Sequence, residues 1–416
     1  MNSSILTQLL RDNPIVVTGM GGISAAGDSA AALWEAAVAG RGTAAWREFE
    51  MGTQSARFAV CGAPDLEFLG PESRPARKMD RAAQMACLVA HQAWQQAHLA
   101  GAYRAEQMGV IAGSSRGPLG KIQESCESLG RTKYPPSLSA NCAFGSLGGM
   151  LAQAFKLKGP GATLSATCAS AAFAIGLAAE QILLGKADMM LAGGAEAPLH
   201  PVILAQLSSA GVLGFHEDAR RTCRPFDATR NGFALGEGGA FLVLESARAA
   251  ARRGIRPLAH LAGWAVALDD SGRARVNADG SGLIGVMRRA LQAAGLGSEK
   301  IDYINAHGSG TKLNDLAEAR AVRELFGDRA ATVPCSSTKP ITGHCLGATP
   351  ALEAVIGIEA ITHQMIPPTA NCHEPDPHCS INVQPLTARP ACISTIMSNS
   401  LGFWGYHASL IFVKST

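Results

Sequence analysis

Three side chains of the 416-residue chain have the types and settings for covalent chemistry. Cys168 lies in Ser165-Ala166-Thr167-Cys168-Ala169-Ser170. A strand-like stretch of small residues runs into it, and a run of helix formers, Ala169 to Leu184, runs out. That order predicts a thiol at the N-terminus of a long helix, where partial positive charge and unpaired N–H groups favour thiolate. A thiolate is the nucleophile of covalent acyl transfer, and free backbone N–H groups can hold the oxyanion that follows. His307 sits in Asn305-Ala306-His307-Gly308-Ser309-Gly310-Thr311, and His344 in Ser337-Thr338-Lys339-Pro340-Ile341-Thr342-Gly343-His344. Each histidine follows a strand-like run, and loops at strand ends are where catalytic groups concentrate. Any one of the three taken alone reads more simply as a packed core residue. One cysteine and two histidines, each at a strand exit, form a set that packing explains poorly.

The elements that must position them alternate strand and helix. In the first half, strands are expected at Ile15 to Gly19, Gly109 to Ala112, Ala162 to Ala166, Met189 to Ala192 and Phe241 to Glu245. Helices are expected at Ala30 to Ala39, Arg81 to Leu99 and Gly145 to Lys156, besides the one that Cys168 opens. After Gly254 the alternation begins again. Extended segments are expected at Leu258 to Ala267, Ile301 to Ile304, Thr332 to Ser336, Ile393 to Ser398 and Ala408 to Val413. Helices are expected at Gly282 to Ala294, Asn314 to Phe326 and Ala348 to Gln364, with Asn314-Asp315 as caps of the second. The βαβ pattern therefore occurs twice, with Cys168 in one half and both histidines in the other.

Composition narrows the class. Hydrophobic residues make up 47% and charged ones 17%, with 46 glycines, which excludes a disordered or fibrous chain and suits a compact α/β enzyme. A net charge of +3 is too small to argue for nucleic acid. No stretch of 18 apolar residues is present, so no membrane span is expected. The first dozen residues lack a targeting pattern. Eleven scattered cysteines fit free thiols in a reducing cytosol. Cys372-His373 and His378-Cys379 flank Glu374-Pro375-Asp376-Pro377, a spacing that argues against zinc, and no metal is expected.

Taken in order, these segments resemble those of the β-ketoacyl synthases, condensing enzymes of the thiolase superfamily. The resemblance runs from about Pro14 to Val413. It rests on Val16-Val17-Thr18-Gly19-Met20-Gly21, Arg77-Lys78-Met79-Asp80-Arg81, the Cys168 segment and Gly193-Gly194-Ala195-Glu196. It continues through Arg224-Pro225-Phe226-Asp227, Asn231-Gly232-Phe233, Gly236-Glu237-Gly238, both histidine segments and Ser398-Asn399-Ser400-Leu401-Gly402-Phe403.

The resemblance implies an α/β thiolase-like fold, two pseudo-repeated halves (1–255 and 256–416) in a five-layered αβαβα arrangement. It implies an acyltransferase: Cys168 takes an acyl group from a carrier-protein thioester, and malonyl-carrier then loses CO2 and extends the chain by two carbons. His307 and His344 would hold the enolate oxygen. Lys339 and Glu353 would support them, and the N–H groups of Cys168 and Phe403 would form the oxyanion hole. Ser309 and Thr311 would touch the phosphopantetheine arm, which arrives on the carrier, so no resident cofactor is expected. Arg74, Arg77 and Lys78 would dock the acidic carrier. Arg224, Asp227 and Glu237 read as an internal ion-pair network. A cytoplasmic homodimer is expected, or a heterodimer with a second ketosynthase-like subunit, with Pro135 to Phe144 near the partner.

Two positions depart from the family pattern. The final loop reads Gly402-Phe403-Trp404-Gly405-Tyr406-His407, with Trp404 in place of a glycine that lets the loop move. Arg116, in Gly113-Ser114-Ser115-Arg116-Gly117, stands where many fatty-acid enzymes carry an apolar residue at the far end of the acyl pocket. Both are candidate substrate-binding residues, and Arg116 points toward a polar, short, conjugated or aryl-headed chain in a specialised polyketide or aryl-polyene-like pathway. Two other readings stand beside condensation: a pocket-shaping partner subunit like a chain length factor, against which Cys168 argues, and another thiolase-fold acyl transfer.

Overall fold

A computed structural model describes residues 3–66, 76–130, 134–270 and 276–415. Ten strands form one mixed sheet, and its strand order is the same pattern written twice. In chain order the first five are β1 (Ile15–Ile23), β2 (Met108–Gly113), β3 (Gly161–Leu164), β4 (Met189–Glu196) and β5 (Gly238–Ser246). The second five are β6 (Ala259–Leu268), β7 (Tyr303–Asn305), β8 (Cys335–Ser336), β9 (Thr395–Leu401) and β10 (Tyr406–Lys414). The spatial order is β3-β2-β4-β5-β1 in the first half and β8-β7-β9-β10-β6 in the second. The first three strands of each group run parallel and the rest antiparallel. The groups meet where Ile15, Val16 and Val17 of β1 pair with Leu261, His260 and Ala259 of β6.

Why these residues stack into five layers is visible in their alternation, since successive strand side chains point to opposite faces. On β4 and β5, Leu191 and Val243 face outward, against Met85 and Val89 of α1 (Arg81–Gln96) and Leu147 and Leu151 of α2 (Ser146–Ala154). Met190 and Leu242, one position away, face inward. There they meet Ile175 and Ile182 of α3 (Ser170–Leu183). In the second half, Met397 and Ile411 face Leu283 and Met287 of α4 (Ser281–Ala294) and Val322 of α5 (Lys312–Phe326). Ile396 and Leu410 face inward, toward Val355 and Ile358 of α6 (Thr349–His363). Helices α3 and α6 thus share one buried layer between the halves. Apart from the edge strand β3, the strands are largely covered on both faces, which is why they read as nearly continuous apolar runs. This is the expected five-layered arrangement.

Some local expectations fail. Asn314 and Asp315 do not cap α5, whose N-cap is Thr311. Both are buried inside its first turn, where Asp315 accepts from the backbone N–H groups of Gly310 and Phe226. The hairpin Ala45–Met51 and Gln54–Cys61, and the helices Leu119–Glu127 and Pro201–Ser209, lie outside the expected elements. Arg224, Asp227 and Glu237 do not form one ion-pair network. Arg224 donates to the carbonyls of Arg221 and Thr229 at 2.5 and 2.9 Å. Asp227 accepts from the N–H groups of Thr229, His373 and Glu374, and Glu237 pairs with Arg81 at 3.0 Å. Cys372 and Cys379 face the core while His373 and His378 face solvent, so the four do not converge. All eleven cysteines are free thiols. No helix among the described residues is long and apolar enough to cross a membrane.

Candidate active site

The nucleophile candidate sits on a strained turn. Cys168 lies on the loop after β3, one residue ahead of Ala169, the N-cap of α3. Thr167 before it adopts φ +49°, the left-handed region that non-glycine residues seldom occupy. The turn is braced from both sides. Ser170 Oγ donates to the Thr167 carbonyl at 2.6 Å and accepts from Ala166 N–H at 2.9 Å. Thr167 Oγ1 donates to the Phe403 carbonyl at 3.3 Å. Gly402 makes that approach possible, because a Cβ there would stand 2.1 Å from Thr167 Oγ1 and 3.2 Å from Cys168 N.

The charge state differs from the expectation. Burial pushes the Cys168 thiol up to about 12 and Glu196 adds to the rise, although Lys339, Arg116 and the Phe403 N–H favour thiolate. The side chain is only 7% exposed, and desolvation of an anion outweighs a helix terminus. The resting group is a thiol.

His307 leaves the loop after β7 and His344 the loop after β8, with ring centroids 5.4 Å apart and planes at 82°. Both are buried. Burial first, and the Lys339 charge second, hold both imidazoles well below their ordinary pKa, so both are neutral near pH 7. Lys339 Nζ lies 3.4 Å from His307 Nδ1. An ammonium only donates, so Nδ1 must accept and the His307 proton resides on Nε2. Lys339 also donates to the His307 carbonyl, and to Glu353 Oε1 at 2.6 Å, with neither side chain exposed. Burial raises the Glu353 carboxyl to about 7, Lys339 opposing.

Sequence reasoning missed two supports. Glu318, on α5, is buried and accepts from the N–H groups of His307 and Gly308 at 2.9 and 2.8 Å, fixing the His307 loop. Thr349, at the start of α6, has its Oγ1 3.1 Å from His344 Nδ1. An acid among the apolar positions of α5 was the available signal for the first, while nothing local marked the second.

Cys168, His307, His344, Ser309, Thr311 and Phe403 line one cavity of about 250 Å³. Ser309 Oγ and Thr311 Oγ1 lie 3.1 Å apart on its wall. Lys339 and Glu353 stand behind it. Arg116 and Trp404 do not line it. Trp404 occupies φ +64°, ψ +26° and is 62% exposed, so it keeps the backbone conformation of a glycine while its ring lies in solvent. Tyr406 packs edge-on against Phe173 at 5.7 Å, and His407 Nε2 lies 2.7 Å from Asp269 Oδ2. Lys78 is exposed beside α1. Arg74, and the side chain of Arg77, lie outside the described residues. Arg81, from the same basic stretch, is committed to Glu237.

Residues 12–250 match the family model "Beta-ketoacyl synthase, N-terminal domain", and residues 258–373 match "Beta-ketoacyl synthase, C-terminal domain". The 3-oxoacyl-[acyl-carrier-protein] synthase 2 of Synechocystis sp. is 34% identical, covering 97% of this chain and 99% of its own. Two solved structures superpose over 97% of this chain. One is the ishigamide ketosynthase/chain length factor (TM-score 0.87, 31% identity, all of that chain). The other is a type II polyketide synthase acyl-carrier protein in complex with its ketosynthase bound to the hexaketide (TM-score 0.86, 28% identity, 99% of that chain).

Proposed function

Because the chain belongs to the β-ketoacyl synthase family, we propose that it performs decarboxylative Claisen condensation through Cys168, in fatty-acid-like or specialised polyketide synthesis. The observation that carries the reading is the convergence of one thiol and two neutral imidazoles, drawn from both halves of the fold, on a single cavity. Cys168 attacks the carbonyl of an acyl-carrier thioester. The new thioester forms on its sulfur, and the carrier thiol leaves with the proton. The oxyanion rests on the N–H groups of Cys168 and Phe403. Malonyl-carrier then enters past Ser309 and Thr311, and its carboxylate departs as CO2.

The remaining enolate oxygen needs donors that do not themselves protonate it. His307, donating from Nε2, and neutral His344 supply them. The enolate carbon attacks the acyl carbonyl, the Cys168–acyl bond breaks, and the sulfur recovers a proton from water. Lys339 and Glu353 are positioning residues: they hold His307 in one tautomer and orientation. The chemistry calls for no resident metal or cofactor, since the phosphopantetheine arm arrives with the substrate.

The reading takes 1–255 as the nucleophile-bearing half and 256–416 as the histidine-bearing half. It takes an acyl carrier protein as partner, docked near Lys78, Arg77 and Arg74. A second ketosynthase-like subunit, identical or not, completes the assembly, as in the ishigamide ketosynthase/chain length factor. The free thiols favour the cytoplasm.

Intact-mass spectrometry with an acyl-carrier panel and malonyl-carrier tests this. Acyl adducts that vanish in Cys168→Ala, with a product two carbons longer, are expected. Absence of any adduct would favour a pocket-shaping subunit instead.

A further inference from the structure

A second cavity, of about 460 Å³ against about 250 Å³ for the active one, shares no lining residue with it. It lies at the seam where the two halves of the sheet meet. Ile15 of β1, Leu261 of β6 and Val413 of β10 line it from three adjacent strands. Ile15 pairs with Leu261 across the seam, and Val413 pairs with His260 beside it.

Two helices supply the remaining walls. The N-terminal helix Ser3–Asp12 packs along α4 with Leu6 and Leu10 buried, and Thr7 Oγ1 donates to the Gln292 carbonyl at 2.8 Å. Leu10 lines the cavity from that helix, and Ala294, Gly295 and Leu296 line it from the end of α4. The short side chains at the end of α4 leave the space open, while the leucines keep it apolar.

Every charged group on the cavity wall is a cation. Arg11 and Lys414 are exposed there, and neither forms an ion pair among the described residues. No carboxylate lines the cavity. His260, also on the wall, is held below its ordinary pKa by burial, so its ring is neutral near pH 7 and offers one N–H. A helix C-terminus accounts for a cation at Arg11. It accounts for neither Lys414 nor a cavity of this size with an apolar lining. An apolar hollow with a few polar groups, placed between two structural units, is the usual form of a small-molecule site.

We propose that this cavity binds a medium-chain carboxylate, with its alkyl tail along Ile15, Leu261 and Val413 and its head group paired with Arg11 and Lys414. The unopposed cations select an anion over a neutral lipid, since charged donors bind carboxylate more strongly than any neutral acceptor. The enclosed apolar lining selects a single chain over a membrane surface. Because both halves of the fold touch the ligand, its binding also stabilises the seam. The site is separate from Cys168 and goes beyond the condensation reading, no step of which uses it.

Isothermal titration of decanoate into the full chain tests this, with decan-1-ol as the chain-matched neutral probe. Decanoate should bind at least about tenfold more tightly than decan-1-ol, and the double variant Arg11→Glu, Lys414→Glu should lose that margin. Both substitutions lie on exposed positions, so the variant should fold and should load acyl groups on Cys168 at the wild-type rate. Saturating decanoate should raise the melting temperature of the wild type and leave that of the variant unchanged. Decan-1-ol binding as tightly as decanoate, or an affinity for decanoate unchanged in the double variant, overturns the inference. So does sedimentation of the protein with phosphatidylglycerol vesicles when decanoate itself does not bind. The rate of acyl loading reports on condensation separately, so failure of that reading and failure of this one are told apart.

Discussion

Glu353→Gln should destabilise the protein more than Lys339→Met, although the two substitutions break the same ion pair. The partners are 2.6 Å apart and wholly buried. Burial already holds the Glu353 carboxyl at about 7, with Lys339 drawing it down. Deprived of the lysine, it can take up a proton near pH 7 at little cost, because burial has already raised it into that range. A lysine deprived of the carboxylate has no such release. Leaving an ammonium buried and charged without its counter-ion costs several kcal/mol. Glu353→Gln should thus lose about 3–5 kcal/mol of unfolding free energy, and Lys339→Met roughly half of that. The double variant should lose less than the sum by about 2 kcal/mol. Denaturant unfolding of the four proteins at pH 7 measures all three quantities. Equal costs for the single variants, or additivity within about 0.5 kcal/mol, would refute the reasoning.

Other expectations follow from the same geometry. Alkylation of Cys168 by iodoacetamide should be slow at pH 7 and climb steadily through pH 9, because burial raises the thiol to about 12; a rate flat across that range would mean a preformed thiolate. The imidazoles of His307 and His344 are held well below 6.5, so the fold binds fewer protons there than the unfolded chain. Their stabilising contribution is full above pH 6.5 and is lost as pH falls below it. Unfolding free energy should therefore drop between pH 6.5 and 5, less steeply in a His307→Asn, His344→Asn variant, and an identical slope in that variant contradicts the assignment. Trp404→Gly should change stability by no more than about 1 kcal/mol, since relief of the left-handed strain offsets glycine's added freedom. Gly402→Ala, by contrast, drives a methyl into Thr167 Oγ1 and should slow acylation at least tenfold, with wild-type rates as the refuting result.

The repeated strand-helix alternation and the trio Cys168, His307 and His344 were legible because they are local: periodicity reports strands and helices, and glycine-flanked exits report loops. What stayed hidden depends on neighbours distant in sequence. The resting thiol at Cys168 reflects a desolvation that exists only once α3 is enclosed by both halves. Glu318 grips the His307 loop across a helix that the pattern alone treats as another polar turn. Asn314 and Asp315 have the composition of caps, yet tertiary hydrogen bonds to Gly310 and Phe226 draw Asp315 inward and move the helix start to Thr311. Arg224 and Asp227 looked like parts of one charge network, whereas Arg224 is consumed by carbonyls of its own loop and Asp227 by the N–H groups of Thr229, His373 and Glu374.

The seam between the halves has a consequence for chain connectivity. Backbone pairing across it involves only three residues on each strand, while α3 and α6 share one buried apolar layer with the inward faces of the strands. Side-chain packing, and not the covalent link between Arg252 and Ala259, keeps nucleophile and imidazoles in register. The site should therefore tolerate a cut in that link: two fragments, expressed together, carry all the surfaces they need to find one another and rebuild a single working cavity.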